Sequence, residues 1–121
     1  MKYLCLIYED ESRFPQVPKD QLDQIMGEYR AFTDGIKKSG HWLAGYQLQD
    51  THAATTLRSR NGKVSTTDGP FAETKEQLGG FYLIEAKDLN DALQVASRIP
   101  SVKFGSIEVR PIVEPGQVKE Q

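Results

Sequence analysis

The sequence predicts an α+β fold, in which an antiparallel sheet carries two amphipathic helices on one face. Segments rich in β-forming residues and two segments of helical periodicity follow in the order strand, helix, strands, strand, helix, strand. This order matches the βαββαβ plan of ferredoxin-like domains, with an extra hairpin in the middle of the chain. Two of the strands are apolar on both faces, so the second side of the sheet also needs a cover.

The composition is that of one ordinary globular domain. The chain has 121 residues, 38% of them hydrophobic and 26% charged, and a net charge of −2. We expect one domain over residues 1–113 and a flexible C-terminal tail over 114–121. No basic run suits direct binding of nucleic acid, and no apolar run is long enough for a membrane span. The lone Cys5 and the absence of a recognisable signal peptide indicate a cytoplasmic protein with a buried, inert thiol.

The first half of the chain predicts a strand at Lys2–Glu9 and a helix at Lys19–Gly40, with a loop containing two prolines between them. The strand alternates between two apolar faces, one with Tyr3, Cys5 and Ile7 and the other with Leu4, Leu6 and Tyr8. The apolar stripe of the helix consists of Leu22, Ile25, Met26, Tyr29, Phe32, Thr33 and Ile36.

The second half predicts five strands, two of them in a hairpin, and one helix. The strands are His41–Leu48, a hairpin over Ala54–Thr67 that turns at Asn61-Gly62, Gly80–Ala86, and Gly105–Val113. In the strand Gly80–Ala86, Phe81 and Leu83 lie on one face, and Tyr82 and Ile84 lie on the other. The helix is predicted at Asp88–Pro100, with Asp88 as its N-cap and with Leu89, Ala92, Leu93 and Ala96 as its stripe.

The uncovered apolar faces of the two inner strands predict a homodimer. In the ferredoxin-like plan both helices lie on one side, and the remaining sequence offers no cover for the other. Exposed apolar patches of this kind usually mark an interface. We therefore expect two copies to pack sheet against sheet about a two-fold axis and to close a dimeric α/β barrel.

The corner Asp68-Gly69-Pro70-Phe71 has a structural and a functional interpretation. Structurally, Gly69 supplies an unusual backbone angle, the Asp68 side chain accepts from backbone N–H groups of its own turn, and Phe71 anchors the corner in the core. Functionally, Asp68, Glu73, Lys75 and Glu76 lie within nine residues of one another, and such a group can bind a polar ligand or act as acid and base.

The stretch "TDGPFAETKEQLGGFYLIE" resembles the motif of the DGPF family, within the YCII-related group. The resemblance extends to "KYLCLIYED", "YRAFTDGIKKSG", "TLRSRNGKVSTTDGPF", "DLNDALQVASRIP" and "GSIEVRPI". It implies a dimeric α/β barrel and brings no known reaction, and it implies a possible association with sigma factors. The His–Asp pair proposed for YCII relatives is incomplete here, because "VPKDQLDQ" offers Asp20 and no histidine.

The residues that carry chemistry predict a site without metal or cofactor. The candidate catalytic residues are Asp68 or Glu73 as acid and base, with His41 as helper, and each also fits a structural role. The candidate ligand-binding residues are Tyr8, Tyr82, Arg110 and Lys75. The two histidines, His41 and His52, have no zinc-ligand spacing, and the Gly79-Gly80 pair does not open a helix as a phosphate loop does.

Three functions therefore stay open. The first is a homodimer that binds a small polar molecule or regulates through one. The second is a cofactor-independent enzyme of the dimeric α/β barrel type that uses Asp and His as acid and base. The third is a protein-interaction module linked to sigma-factor-dependent transcription.

Overall fold

The computed structural model describes residues 1–117. Its strands are β1 (Lys2–Glu9), β2 (Trp42–Gln47), β3 (Thr55–Arg60), β4 (Lys63–Asp68), β5 (Gln77–Glu85) and β6 (Ser106–Pro111). Its α-helices are α1 (Lys19–Lys38) and α2 (Leu89–Ala96), and short 3-10 helices cover Glu11–Gln16, Thr51–Ala53 and Pro100–Lys103. Of the predicted tail, residues 114–117 include a turn closed by a bond from the Gln117 N–H to the Glu114 carbonyl oxygen. The remainder of that prediction lies outside the described residues.

Four strands form one antiparallel sheet in the order β2-β5-β1-β6. This is the strand order of a ferredoxin-like sheet, so that part of the prediction is confirmed. The hairpin β3–β4 forms a separate two-stranded sheet. Asn61 and Gly62 both have positive φ at its tip, as a two-residue turn with this dipeptide requires.

The core lies between the sheet and the two helices. The inward face of β1 supplies Tyr3, Cys5 and Ile7, which pack with Ile84 of β5 and Ile36 of α1. Cys5 is fully buried, and burial raises the pKa of its thiol to about 11. The prediction of a buried thiol is therefore confirmed, and the thiol stays protonated at neutral pH.

The second helix is shorter than predicted, and its buried stripe is different. It ends at Ala96, and a separate 3-10 turn begins at Pro100. The predicted stripe members Leu89 and Leu93 are about half exposed. The other two predicted members, Ala92 and Ala96, are buried, and so is Val95, which the prediction did not include. The error arose because an eight-residue helix of mixed small and branched residues gives two overlapping periodic patterns, and packing against the sheet selects between them.

The helix begins as predicted. The Asp88 side chain accepts a bond from the Asp91 backbone N–H at 2.9 Å. The Asp91 carboxylate reaches back and accepts from the Lys87 N–H at 3.0 Å. Such reciprocal caps satisfy donors that the first turn leaves open.

A bulge in β2 decides which side chains of this edge strand face the helices. Trp42 pairs with Ile84 and Ala44 pairs with Leu83, so Leu43 is the extra residue. Because of this residue, Trp42 and Gly45 both lie on the helix side, although they are three positions apart. Without the bulge, strict alternation would have turned Gly45 away from Trp42.

The second face of the sheet is open in the single chain. Across the two central strands, Leu4 and Leu6 of β1 alternate with the core residues, and Phe81 and Leu83 of β5 lie beside them. These four side chains are only partly buried. The predicted apolar second face is thus present.

The corner after β4 differs from its structural prediction. Gly69 has φ +105°, which confirms the need for glycine there. Phe71, however, is 76% exposed, so the prediction that it anchors the corner in the core is wrong. The predicted bond from a backbone N–H two positions on to the Asp68 side chain is also missing within residues 1–117, since that position is Pro70, which has no N–H. The corner is instead fixed from β3, where Thr56 and Arg58 donate to the carbonyl oxygens of Gly69 and Phe71, each at 2.8 Å.

Candidate functional site

A cavity of about 760 Å³ opens between the N-terminal half of α1 and the sheet. Its floor is the end of β1 and the start of β5, one wall is β2, and the 3-10 helix Glu11–Gln16 closes one end. Apolar and aromatic side chains provide most of its lining, among them Phe14, Ile25, Met26, Tyr29, Trp42 and Tyr82. This arrangement explains why the stripe of α1 is buried only at Phe32 and Ile36, near the C-terminal end of the helix.

Three side chains linked by hydrogen bonds, those of Tyr29, Ser101 and Glu9, provide polar groups at the floor of the cavity. The Tyr29 hydroxyl is hydrogen-bonded to the Ser101 hydroxyl, which donates to a carboxylate oxygen of Glu9. Ser101 is fully buried, whereas Tyr29 and Glu9 line the cavity. These hydrogen bonds therefore connect α1, the 3-10 turn after α2 and the end of β1 at one point.

A second polar pair lines the same cavity, with its α1 member one helical turn beyond Tyr29. The hydroxyls of Thr33 and Tyr82 are 2.8 Å apart. The Tyr82 ring is held edge-on by Phe32 and Trp42, with ring centroids at 5.1 and 6.1 Å. Two aromatic neighbours in this geometry leave the ring little freedom, so its hydroxyl is presented in a defined direction.

Burial sets the acidity of the two cavity tyrosines. It raises the pKa of Tyr29 to about 12, and the Glu9 carboxylate acts in the same direction, against the hydrogen bond with Ser101. It also raises the pKa of Tyr82, against the hydrogen bond with Thr33. Both hydroxyls are therefore neutral hydrogen-bonding groups at physiological pH.

We predict that Tyr29 makes the protein sensitive to alkali. Its pKa in the folded state lies above the ordinary value of 10, so its stabilising effect is complete below pH 10 and is lost as pH rises towards 12. Urea unfolding between pH 8 and 11.5 should show a steeper decline in the free energy of unfolding for the wild type than for Tyr29→Phe. Parallel declines in the two proteins would contradict this assignment.

Carboxylates line the mouth of the cavity. Glu11 accepts bonds from the backbone N–H and the hydroxyl of Thr51, each at 2.7 Å. Asp50 caps the following 3-10 turn by accepting from the His52 N–H at 3.1 Å. Both residues belong to the cavity lining, as does Glu9. These contacts fix the loop after β2 against the 3-10 helix and close one side of the entrance.

The predicted helper His41 lies elsewhere, at the junction of α1, β2 and α2. Its Nδ1 is 2.7 Å from the Ser39 hydroxyl, and its Nε2 is 3.1 Å from an Asp91 carboxylate oxygen. The bond from the Lys87 N–H and the contact with His41 hold the pKa of Asp91 below its usual value. His41 is thus paired with Asp91 rather than with Asp68, and it is absent from the cavity lining.

The charged residues near the corner are not gathered into a site. Asp68, Glu73 and Lys75 are all exposed, and none of them lines the cavity. Among residues 1–117, none of these side chains makes a hydrogen bond to another of the predicted site residues. Glu76 does have a partner, the Ser106 hydroxyl at 2.7 Å, and this bond joins the end of the corner to β6.

The predicted ligand-binding residues separate onto two faces of the sheet. Tyr82 faces the cavity, whereas Tyr8 and Arg110 lie on the open face with Glu108. The Tyr8 hydroxyl donates to one Glu108 oxygen at 3.3 Å, and Arg110 donates to the other at 2.6 Å. The Arg110 bond is the main cause that lowers the pKa of Glu108, so this small network is ionised on the open face. Arg110 is thus paired with a carboxylate of its own strand.

Sequence reasoning missed Glu9, Glu11 and Ser101 as site residues. A signal for Glu9 existed, because strict alternation along β1 puts it on the same inward face as Ile7. Carboxylates are uncommon at inward-facing strand positions, so this position could have marked Glu9 as a candidate. Ser101 offered no signal, since it lies between helix and strand and contacts Glu9 and Tyr29 only through the fold.

Two kinds of feature are absent from the described residues. Residues 1–117 hold no group of three or more His, Cys, Asp or Glu side chains arranged for a metal ion. In the same range, no helix is both long enough and apolar enough to cross a membrane.

Comparison with known proteins supports one family. The family model described as "YCII-related domain" matches residues 1–115. An uncharacterized protein of Rhizobium meliloti (strain 1021) is 38% identical over 122 aligned positions, which cover 98% of each chain. Both matches extend over nearly the whole described length. The chain belongs to the YCII-related family.

Proposed function

We propose that this protein binds a small amphipathic molecule in the cavity between α1 and the sheet. The observation that supports the proposal is the cavity itself, whose volume of about 760 Å³ falls in the range of small-molecule sites. Its walls are mainly apolar, and a few hydroxyl and carboxylate groups converge on it from separate elements. That combination buries a ligand body while fixing its orientation.

The polar groups are held in fixed orientations by hydrogen bonds. The Tyr82 hydroxyl is oriented by Thr33, and the Tyr29 hydroxyl is oriented by Ser101, which in turn bonds to Glu9. Because both pairs are formed between side chains of the protein itself, little rotamer entropy is lost when a ligand binds. The ligand needs an apolar body for the aromatic walls and at least one hydrogen-bonding group for the floor.

Filling the cavity tests the proposal. A set of aromatic fragments is titrated against the protein while the fluorescence of Trp42, the single tryptophan and a lining residue, is followed. Thr33→Phe places a ring in the cavity and should abolish binding. Asp34→Phe is the matched control, because Asp34 is the next residue of α1 and is exposed. Binding that survives in Thr33→Phe, or no binding by any fragment, would contradict the proposal.

We also propose that two copies associate through the open face of the sheet. Leu4, Leu6, Phe81 and Leu83 form a continuous apolar surface at its centre, flanked by the ionised Glu108–Arg110 pair. A two-fold axis through that surface packs the apolar patch of one copy against the same patch of the other copy. This is the arrangement of a dimeric α/β barrel. Within the YCII-related family, the motif Asp68–Phe71 supports placement of the chain in the DGPF group.

Mass in solution tests the association. A sedimentation measurement should give about twice the 13.6 kDa of one chain. Leu6→Lys should yield a monomer, because it puts a charge at the centre of the proposed interface. Leu93→Lys should remain a dimer, since Leu93 is exposed on α2, on the other side of the sheet. A monomeric wild-type protein would overturn the proposed dimer and leave the cavity proposal intact.

The second candidate function is an enzyme that uses general acid–base chemistry in the same cavity. The observation that favours it is the Glu9 carboxylate, which lines the cavity and is connected through Ser101 to Tyr29. A carboxylate that receives a proton from a bound ligand is a general base, and the linked hydroxyls hold it in place. Turnover of a bound fragment that is lost in Glu9→Gln, with binding retained, would select this function over binding alone.

A further inference from the structure

The charged side chains that line the cavity all have the same sign. Its lining includes three carboxylates, Glu9, Glu11 and Asp50, and none of the described residues that line it is Lys, Arg or His. The composition of the chain does not account for this, because the chain has 15 basic residues against 17 acidic ones. A ligand that carries negative charge would meet repulsion from every charged group in the lining.

Of the two partly buried carboxylates in the lining, Glu9 and Glu11, only Glu9 has an acceptor oxygen free among residues 1–117. Both oxygens of Glu11 are taken by Thr51, whereas Asp50 is exposed and caps its own turn with one oxygen. One oxygen of Glu9 accepts from Ser101, and its other oxygen accepts no hydrogen bond within residues 1–117. Glu9 therefore offers a fixed acceptor beside the aromatic walls of the cavity.

The walls suit a cation as well. Phe14, Tyr29, Trp42 and Tyr82 present aromatic rings to the cavity, and the negative face of such a ring attracts an ammonium group. The Lys37 ammonium lies 4.7 Å from the centroid of the Trp42 ring, so that face of Trp42 is taken by the protein's own cation and is not available to a ligand. An aromatic enclosure with one free carboxylate is the usual environment for an organic ammonium ion.

We propose that the natural ligand is an amphipathic amine, with its ammonium group on Glu9 and its apolar or aromatic body between α1 and β2. The inference rests on the proposed binding function and adds the charge and chemical class of the ligand. The ammonium group donates to the free oxygen of Glu9, while Tyr29 and Tyr82 contact the body and the neutral end of the molecule.

Three probes of similar size and different charge test the inference. They are 2-phenylethylamine, 2-phenylethanol and 3-phenylpropionate, titrated at pH 7 by calorimetry and by Trp42 fluorescence. The amine should bind at least tenfold more tightly than the alcohol, and the carboxylate should bind most weakly. The preference for the amine should shrink at high salt, since charge attraction at a partly open site is screened.

Variants assign the preference to one side chain. Glu9→Gln should lower the affinity for the amine about tenfold and leave the affinity for the alcohol nearly unchanged. Glu73→Gln, which neutralises an exposed carboxylate outside the cavity, should change neither affinity. If Glu9→Gln does not fold, the comparison of probes on the wild-type protein still decides the charge preference.

The outcomes separate the two proposals. Binding of the alcohol as tight as that of the amine would overturn the amine inference and leave the binding function standing. Preferred binding of the carboxylate would also overturn it. Failure of all three probes, together with failure of the fragment set, would overturn the binding function and the inference with it.

Discussion

Replacing Gly105 by alanine should destabilise the protein more than the loss of any single core methyl group. A Cβ atom at this position would overlap the backbone carbonyl oxygen of Tyr8 and lie 3.1 Å from the Glu9 side chain. The clash is with backbone, so it is relieved only if β6 moves away from β1. We expect a cost of about 4 kcal/mol, which is a large part of the stability of a domain of this size.

Urea denaturation of Gly105→Ala measures this cost, and Gly35→Ala is the matched control. Gly35 lies within α1, and a Cβ there would meet no atom within 4 Å. Alanine at this position should stabilise the protein by roughly 0.5–1 kcal/mol, because glycine is a poor helix former. The two substitutions are chemically identical and should have opposite signs. A mild effect at Gly105 would mean that β1 and β6 are less closely packed than the structure has them.

Replacing Gly45 by alanine should damage the cavity wall and the stability together. Its Cβ would lie 2.7 Å from the Tyr82 ring and 3.0 Å from the Trp42 ring. Both rings are held by their neighbours, so one of them must rotate or the edge strand must shift. Overpacking of this kind costs roughly 1–3 kcal/mol. Since these rings line the cavity, the affinity for any cavity ligand should fall as well.

Three readings check the Gly45 prediction. The emission of Trp42 should change in Gly45→Ala, the free energy of unfolding should fall, and the fragment or amine that binds the wild type should bind at least tenfold more weakly. Gly62→Ala separates the effect on the cavity from a general loss of stability. It strains a positive-φ turn in the hairpin and leaves the cavity untouched, so it should lower stability without lowering affinity. Unchanged affinity in Gly45→Ala would show that the ligand does not reach this wall.

Local patterns in the sequence were sufficient for the architecture. Alternation along β1 predicted both of its faces, and the Asn61-Gly62 pair predicted the hairpin turn. Asp88 predicted the start of α2, and Gly40 predicted the end of α1, where its φ is +83°. These features depend on neighbours within about four residues, and the period of a strand or the geometry of a cap decides them without reference to the rest of the chain.

The fold separates the residues that the sequence grouped as candidates for one site. Asp68, Glu73 and Lys75 are close in sequence, yet they are exposed at the end of β4 and on the segment that follows it. His41 is paired with Asp91, fifty residues away. Local density of charge therefore does not by itself bring side chains together, because charged residues that are adjacent in a loop are free to point apart into water.

What the sequence by itself determined is the set of strands and helices, their order, and the presence of an apolar second face on the sheet. Only the tertiary structure decided the rest. It selected the buried stripe of α2, left Phe71 exposed, and used the Leu43 bulge to turn Gly45 towards Trp42. It also joined Glu9, Tyr29 and Ser101, which are separated by up to 92 residues. The physical reason is that a cavity belongs to the space between elements, so its lining follows from how a helix sits on a sheet, which no local pattern encodes.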